Sequence, residues 1–277
     1  MKNYLHHTFD SDDPELISII DELPLWSAPF GLMLLDNIQL KPNIKVLDIG
    51  CGLGFPLIEL SQRFGNSCKF YGVDPWHSAL KRAQAKIYKY EITNTVVAKS
   101  IAENLPFKNN SFDLIVSNNG INNVQDIKQT LSESFRVSNS GAQFLMTMNL
   151  ENSMMEFYNI FEETLIENNL NKEVGKMKDH IYSKRKPIEE MKSLIENSGF
   201  KINNIIEDSF NLRFLNALAM FNHPLIKYWF LGSWKDILKQ ENLDDIFQEL
   251  EVNLDNIALK KGEITLSIPY VLIDCYS

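Results

Sequence analysis

The amino-acid sequence predicts an α/β fold in which a doubly wound, mostly parallel sheet carries helical cap insertions. Short apolar runs alternate with segments of helical periodicity between residues 44 and 149. These runs are apolar enough to be buried on both faces, which is typical of parallel sheets covered by helices. A glycine-rich bend also follows the first run, at the point where a helix begins. The seven predicted strands cover residues 44–49, 69–73, 95–98, 112–117, 143–148, 200–210 and 263–276.

The predicted helices lie between and around these strands. The first helix of the core begins near Phe55, with Pro56 in its first turn, where a missing N–H costs nothing. In the closing strand, Pro269 indicates a sheet edge or a bulge, because proline cannot donate to the ladder. The other predicted helices cover residues 14–23, 29–38, 76–90, 124–135, 154–165 and 187–199, with a longer helical stretch over 214–260.

These elements divide the chain into a sheet core and three helical additions. We expect an N-terminal helical lid over residues 1–43 and a core over 44–150. A helical insertion over 151–186 precedes a further core helix and strand over 187–213. A helical cap over 214–261 precedes the closing strand, residues 262–277.

The charge of the chain excludes general binding to nucleic acids. It has 36 acidic and 27 basic residues, a formal net charge of −9 at neutral pH. Such a chain repels a phosphate polymer. Three cysteines in 277 residues do not make a disulfide framework, and no apolar stretch is long and uninterrupted enough to span a membrane. We therefore expect a cytoplasmic protein.

The strongest chemical signal is the run VLDIGCGLG, residues 46–54, in which a strand leads into three alternate glycines. Glycines at 50, 52 and 54 let the backbone turn tightly and leave main-chain N–H groups open to a ligand. A dinucleotide-binding fingerprint would require a glycine at position 55, where this chain has Phe55. Asp48 would repel a pyrophosphate but suits a ligand with an ammonium group.

A second carboxylate follows the next strand. Asp74 ends that strand 24 residues after Gly50, a position from which a carboxylate can accept hydrogen bonds from both hydroxyls of a ribose. Trp76 follows closely and suits stacking on a base, although an aromatic residue at a helix start is about as often part of the core. An ammonium group, a ribose and a base in this order describe S-adenosylmethionine.

At these residues the sequence resembles the class I S-adenosylmethionine-dependent methyltransferases, and is most similar to the branch of the ubiquinone and menaquinone methyltransferases. The resemblance covers about residues 40–150 through VLDIGCGLG, YGVD and AENLPFKNNSFDLIVSNN. It implies a seven-stranded Rossmann-like methyltransferase fold that transfers a methyl group to a small molecule and releases S-adenosylhomocysteine. The implied cofactor-binding residues are Asp48, Gly50, Cys51, Gly52, Gly54, Phe55, Asp74, Pro75, Trp76, Ala102, Glu103, Ser117 and Asn118.

One position departs from the family pattern. The family often has an aspartate directly before Ala-Glu, where the resemblance implies that its carboxylate accepts a hydrogen bond from the adenine amino group. This chain has Ile101 there. The lost bond would weaken binding by about 0.5–1.5 kcal/mol, unless Glu103 replaces it.

The residues around the transferred methyl group are less well defined by the sequence. Asn118 and Asn119 follow the fourth strand, where they either orient the acceptor or form a loop and helix cap. His77 is a candidate base, needed only if the acceptor must lose a proton. Residues 171–186 hold six basic and two acidic residues, which form a solvated face or attract an anionic acceptor. Candidate acceptor-binding residues are Trp26, Asn119, Tyr182, Arg185, Arg213 and Trp229.

No spacing of histidines and cysteines indicates a metal site. Three alternative functions remain at this point. A catalytically silent methyltransferase-like binding protein would keep the fold without turnover. An NAD-dependent oxidoreductase shares the sheet, but Asp48 and Phe55 disfavour it. A nucleic-acid methyltransferase is disfavoured by the net charge and by the lack of an Asn-Pro-Pro-Tyr-type motif after strand four.

Overall fold

The computed structural model of the chain describes residues 4–7, 9–22 and 26–277. Its strands are β1 (Lys45–Ile49), β2 (Lys69–Asp74), β3 (Thr95–Lys99), β4 (Phe112–Asn118), β5 (Ser138–Asn149), β6 (Lys201–Phe214) and β7 (Ile264–Tyr276). Its α-helices are α1 (Pro14–Asp21), α2 (Ser27–Asn37), α3 (Leu57–Phe64), α4 (His77–Lys89), α5 (Ile127–Val137), α6 (Met155–Glu167), α7 (Asn171–Lys184), α8 (Ile188–Asn197), α9 (Ala217–Asn222), α10 (Leu231–Lys235) and α11 (Leu243–Lys261). Short 3₁₀ turns and one π-helical turn, Ile226–Phe230, complete the helical elements of the described residues.

The strands form one seven-stranded sheet in the order β3-β2-β1-β4-β5-β7-β6. β1 pairs in parallel with β2 and β4, β2 with β3, and β4 with β5, whereas β7 runs antiparallel to β5. The strand order reverses between β1 and β4, so the loops that follow these two strands diverge and leave a crevice. The predicted seven-stranded, mostly parallel and doubly wound sheet is confirmed.

Apolar burial explains why the predicted strands form. In β1 the residues Val46 to Ile49 are all buried, and β4 is buried at six of its seven positions. Leu34 of α2 and Leu57 of α3 join the central strands in one cluster of buried apolar side chains. Each fully buried side chain of this size contributes about 1.5–3 kcal/mol relative to its exposed form. The core therefore lies against the same strands whose ends carry the glycine bend.

Several element boundaries differ from the sequence predictions. β5 begins at Ser138, five residues earlier than predicted, because Ser138 pairs with Phe112 ahead of a register shift. α3 begins at Leu57, after Pro56. α5 begins at Ile127 because the Asp126 side chain caps it by accepting from the Gln129 N–H, so Val124 precedes the helix.

Of the two alternatives predicted at Pro269, a sheet edge or a bulge, the edge is not observed, because β7 lies between β5 and β6 in the sheet. Pro269 is tolerated there because the pairing of β7 with β5 covers Tyr270 to Tyr276 and stops short of it. In the leader, α1 ends at Asp21 and position 23 of the predicted helix 14–23 lies outside the described residues.

The chain forms two compact units. One unit contains residues 11–149, 186–208 and 270–277, with the paired strands β1 to β5 and the β5-paired part of β7. The other contains residues 1–10, 150–185 and 209–269 and is mainly helical. In its core Phe157 stacks on Trp234 with ring centroids 4.0 Å apart, and the indole N–H of Trp234 donates to the Tyr158 hydroxyl over 3.0 Å. Within the described residues, no helix is long and apolar enough to cross a membrane.

Candidate cofactor site at the sheet switch point

A cavity of about 450 Å³ opens at the carboxyl ends of β1, β2 and β4, inside the sheet unit. This is the crevice that the reversal of strand order creates, and ligands of open α/β sheets bind at such positions. The lining residues are Ile49, Gly50, Val73, Asp74, Pro75, Trp76, Ser100, Ile101, Ala102, Glu103, Asn118, Asn119, Gly120, Asn123, Val124 and Gln125.

The glycine bend reaches this cavity through Gly50. Gly50, Gly52 and Gly54 have φ values of 80°, 48° and 102°, in the left-handed region that side chains disfavour. A Cβ on Gly50 would lie 3.1 Å from the Cα of Gly120, and a Cβ on Gly120 would lie 2.8 Å from the backbone oxygen of Ile49. The loops after β1 and β4 therefore approach each other through backbone atoms alone. The expectation that the N–H groups of the bend stay open to a ligand is wrong at these positions: those of Gly50 and Cys51 donate to the Val73 oxygen over 2.8 and 3.1 Å, and that of Gly54 donates to the Cys51 oxygen over 2.8 Å.

Asp74 lies on the cavity wall next to the glycine bend, with its carboxylate held in place. The Gly52 N–H donates to Oδ2 over 2.9 Å and the Trp76 N–H donates to Oδ1 over 2.8 Å. Burial raises the pKa of Asp74, while these two amides lower it. Each carboxylate oxygen has a second lone-pair site, so both oxygens retain an acceptor position for a ligand hydroxyl.

Asp48 lies in the protein interior rather than among the cavity-lining residues. It is fully buried, and no described donor reaches hydrogen-bonding geometry with either carboxylate oxygen. Burial, and then the nearby Asp74, raise its pKa to about 8, and the Leu57 backbone N–H, the smallest influence, lowers it. Asp48 is therefore protonated at neutral pH until a positive charge approaches it.

Trp76 and Pro75 line the cavity next to Asp74. The indole of Trp76 is half-buried and its Nε1–H donates to the backbone oxygen of Ser11 over 2.9 Å, which fixes the plane of the ring. His77 is exposed at the first position of α4 and is not among the lining residues. The structure brings Trp76, but not His77, to the cavity.

The segments 100–103 and 123–125 form the remaining wall. Ile101 is 51% exposed and presents an apolar surface there. Glu103 Oε1 accepts from the Gln125 N–H over 2.7 Å and from the Asp126 N–H over 3.2 Å. One carboxylate oxygen therefore ties the two segments together.

The amides after β4 hydrogen-bond mainly to the protein itself. The buried Asn118 donates to the Ser27 backbone oxygen over 3.1 Å and accepts from the Thr147 hydroxyl over 3.0 Å. Asn119 has a φ of 55°, and its side-chain oxygen accepts from Asn122 over 2.9 Å. Both asparagines line the cavity, but their side chains fix the ends of β4, β5 and α2.

Several predicted cofactor residues do not line the cavity but contact residues that do. Ser117 is buried and donates to the Ile49 backbone oxygen over 2.8 Å. Cys51 is buried, and burial raises the pKa of its thiol well above the usual value. The Gly52 N–H donates to the Asp74 carboxylate. The ring of Phe55 packs against Gly31 of α2, where a Cβ would overlap it. These residues, with Gly54, shape the bend without appearing among the lining residues.

Of the six acceptor candidates, Asn119 is the one that lines this cavity among the described residues. Trp26 belongs to the sheet unit and packs on Phe30 with ring centroids 5.4 Å apart. The other four, Tyr182, Arg185, Arg213 and Trp229, belong to the helical unit.

Within the helical unit these four side chains have different surroundings. Arg185 is buried, donates to the Ser153 backbone oxygen over 2.9 Å and lies over the Tyr158 ring. Arg213 is exposed and forms two 2.8 Å contacts with Glu263 through Nε. Tyr182 is 49% exposed, and Trp229 is 42% exposed.

The basic stretch 171–186 is partly neutralised by acids of its own unit. Lys178 contacts Glu162 at 2.7 Å and Lys176 contacts Glu173 at 3.6 Å. Burial lowers the pKa of His180 on the same helix, and Arg185 and Lys184 lower it further. Among the described residues no group of three or more histidine, cysteine, aspartate or glutamate side chains could hold a metal ion.

Sequence reasoning missed seven lining residues: Ile49, Val73, Ser100, Gly120, Asn123, Val124 and Gln125. Ile49, Val73 and Gly120 adjoin residues that were identified, so the rule that strand ends face the ligand would have found them. Val124 and Gln125 had no such signal, because the apolar periodicity assigned Val124 to a helix face.

A family model and several known proteins are similar to this chain. A family model described as "Methyltransferase domain" matches residues 40–249. A probable cobalt-precorrin-6B C(15)-methyltransferase (decarboxylating) of Saccharolobus solfataricus is 29% identical over 170 residues, 56% of this chain and 82% of that protein. A demethylmenaquinone methyltransferase of Lactiplantibacillus plantarum is 35% identical over 110 residues, 39% of this chain and only 46%, about half, of that relative. The crystal structure of the YcgJ protein from Bacillus subtilis superimposes with a TM-score of 0.60 at 16% identity, over 90% of this chain and 98% of that one.

Proposed function

This chain belongs to the methyltransferase-domain family, as a class I S-adenosylmethionine-dependent methyltransferase, and from that premise we propose that it methylates a small-molecule acceptor. The family match confirms the resemblance that the motifs indicated. The observation that carries the proposal is the carboxylate of Asp74, held by two backbone amides on the wall of a switch-point cavity, next to the glycine bend.

The residues present fit the cofactor. Asp74 keeps an acceptor position on each oxygen, which suits the two hydroxyls of a ribose. Gly50 of the glycine bend suits the methionine part, because it lines the cavity without a side chain. The side chains of Trp76, Ile101 and Val124 then form the apolar slot at the other end, which suits a flat base.

In this arrangement we assign Asp48 an electrostatic role, which depends on a change in its protonation when the ligand binds. Its buried carboxyl group has no hydrogen-bonding partner among the described residues, and it is neutral at pH 7 without a ligand. A ligand ammonium group on the glycine bend would lower the pKa of Asp48 and ionise it, since opposite charges stabilise each other strongly in a dry environment. Binding is then linked to the release of a proton.

Bound S-adenosylmethionine supplies an electrophilic methyl group on a sulfonium sulfur. We assign to the protein the task of holding donor and acceptor in line, which accounts for much of the acceleration of such a displacement. Asn118 and Asn119 act as positioning residues for this step, because their side-chain bonds fix the strand ends that face the cavity. No general base is assigned, since His77 does not line the cavity.

The proposed acceptor is a small molecule, as the names of the two methyltransferase relatives indicate for those proteins. Arg213 is a weak candidate for binding an anionic acceptor, because Glu263 already neutralises it. Three buried free cysteines support the proposal of a reducing, cytoplasmic location.

A transfer assay with methyl-labelled S-adenosylmethionine and a panel of quinol, phenol, amine and corrinoid acceptors tests the proposal. We expect label in at least one acceptor and release of S-adenosylhomocysteine, and at least tenfold weaker cofactor binding in Asp74→Ala. Binding of the cofactor without transfer to any acceptor would favour the silent binding protein. Unchanged cofactor affinity in a folded Asp74→Ala variant would contradict the site.

A further inference from the structure

The base end of the cavity lacks the acceptor that the family pattern places there. Ile101 occupies the position where an aspartate is typical, and its side chain cannot accept a hydrogen bond. An adenine ring that enters the slot beside Trp76 presents its exocyclic amino group as a donor. At this partly exposed end, a pre-oriented acceptor of the protein binds such a donor more favourably than water does, because its ordering cost is already met. Another polar group of this wall can supply that acceptor.

Four polar side chains line this end: Ser100, Glu103, Asn123 and Gln125. Asn123 is exposed, so water competes for its carboxamide oxygen. The Ser100 hydroxyl uses its proton in bonds to the backbone oxygens of Ile101 and Asn104, over 3.2 and 3.1 Å, which fixes the direction of the O–H bond within its own segment. The Gln125 side chain is exposed, so water competes for its oxygen. Glu103 is half-buried and is the one carboxylate among them.

The two oxygens of Glu103 have different surroundings. Oε1 accepts from the backbone N–H groups of Gln125 and Asp126. The backbone oxygen of Glu103 accepts from the Gln129 side chain over 3.2 Å, which further restrains the segment 100–103. No residue in the described part of the chain donates to Oε2. The carboxylate is thus pre-oriented, with one oxygen used structurally and the other available to a ligand.

We propose that Glu103 Oε2 is the acceptor that reads the 6-amino group of the adenine ring, in place of the aspartate missing at Ile101. This inference rests on the proposed function, because it requires the cofactor in this cavity. It makes Glu103 a specificity-determining residue for the base. A charged acceptor discriminates more strongly than a neutral one, by roughly tenfold or more.

Glu103→Gln separates the two oxygens chemically. The backbone amides of Gln125 and Asp126 hold the carboxamide oxygen in the place of Oε1, because they need an acceptor. The carboxamide NH₂ then takes the place of Oε2, and an NH₂ group cannot accept from an amino group. The variant keeps the connection between the two segments and loses the recognition of the base.

The experiment compares two ligands by calorimetry: S-adenosylhomocysteine and its 6-deamino analogue, in which purine replaces adenine. We expect the wild-type protein to prefer S-adenosylhomocysteine by at least about tenfold. In Glu103→Gln this preference should fall to about threefold or less, with an unchanged unfolding midpoint. The control Glu189→Gln, on the exposed face of α8, makes the same chemical change and should retain the full preference.

Equal affinity of the wild-type protein for both ligands would overturn this inference and leave the proposed function intact. A preference that survives in Glu103→Gln but disappears in Gln125→Ala would overturn it as well, in favour of the Gln125 carboxamide. Failure of the wild-type protein to bind either ligand would refute the proposed function, and the inference with it.

Discussion

The substitution Asp48→Asn tests the electrostatics of the site without any ligand. The folded state raises the pKa of this carboxyl group from 3.8 to about 8, so folded protein binds the proton more tightly than unfolded chain. Stability contributed by this proton is therefore lost as the pH rises from about 4 to about 8. At about 1.4 kcal/mol per pH unit, the wild-type protein should lose about 4 kcal/mol between pH 5 and pH 8 through this one group.

Asparagine has almost the same shape and no proton to lose, so Asp48→Asn should lack this loss. The assay is urea unfolding at pH 5, 6, 7 and 8, with Asp36→Asn as a control for removing an exposed carboxylate. The buried carboxamide has its own desolvation cost, but that cost is the same at every pH. The free energy of unfolding of Asp48→Asn should thus rise relative to wild type by about 4 kcal/mol across this range. Parallel profiles of the two proteins would refute the reasoning.

Three further predictions concern the geometry of the cavity. Gly120→Ala places a Cβ 2.8 Å from the Ile49 backbone oxygen, so it should lower the free energy of unfolding in urea by about 1–3 kcal/mol and weaken cofactor binding. The control Gly175→Ala, which adds a Cβ in open space on α7, should not destabilise the protein. Equal effects of the two substitutions would contradict the packing argument. Asn118→Ala leaves the Ser27 carbonyl and the Thr147 hydroxyl without their partner, so it should lower the free energy of unfolding by about 1–3 kcal/mol. Both Asn118→Ala and Asn119→Ala should slow methyl transfer, and wild-type turnover in both would end their positioning role.

The sheet was predictable because its strands satisfy a local rule. β1 and β4 are short apolar runs that only a doubly covered sheet can bury, and their order along the chain restricts the topology. The start of β5 was missed because Ser138 to Gly141 are polar, and their pairing depends on Phe112, distant in sequence. The start of α5 had a local signal, Asp126 three residues before Gln129, that the apolar periodicity obscured.

Some residues of the candidate site were also predictable from a local motif, whereas others depend on tertiary packing. The glycine bend, Asp74 and Trp76 are sequential and were predictable as one motif. That Asp48 lies in the interior rather than on the wall depends on how β1 packs, which the motif does not encode. Likewise Arg213 looked available to an anion because its partner Glu263 lies 50 residues further on. Pairings of this kind follow from tertiary structure and leave no local pattern.

Calorimetric titration with S-adenosylmethionine, S-adenosylhomocysteine and NAD, each in two buffers of different ionisation enthalpy, tests the central assignment most directly. We expect both sulfur-containing ligands to bind at one site, with proton release that disappears in Asp48→Asn, and we expect no heat from NAD. Binding of NAD without binding of either sulfur ligand would contradict the assignment of this cavity to S-adenosylmethionine.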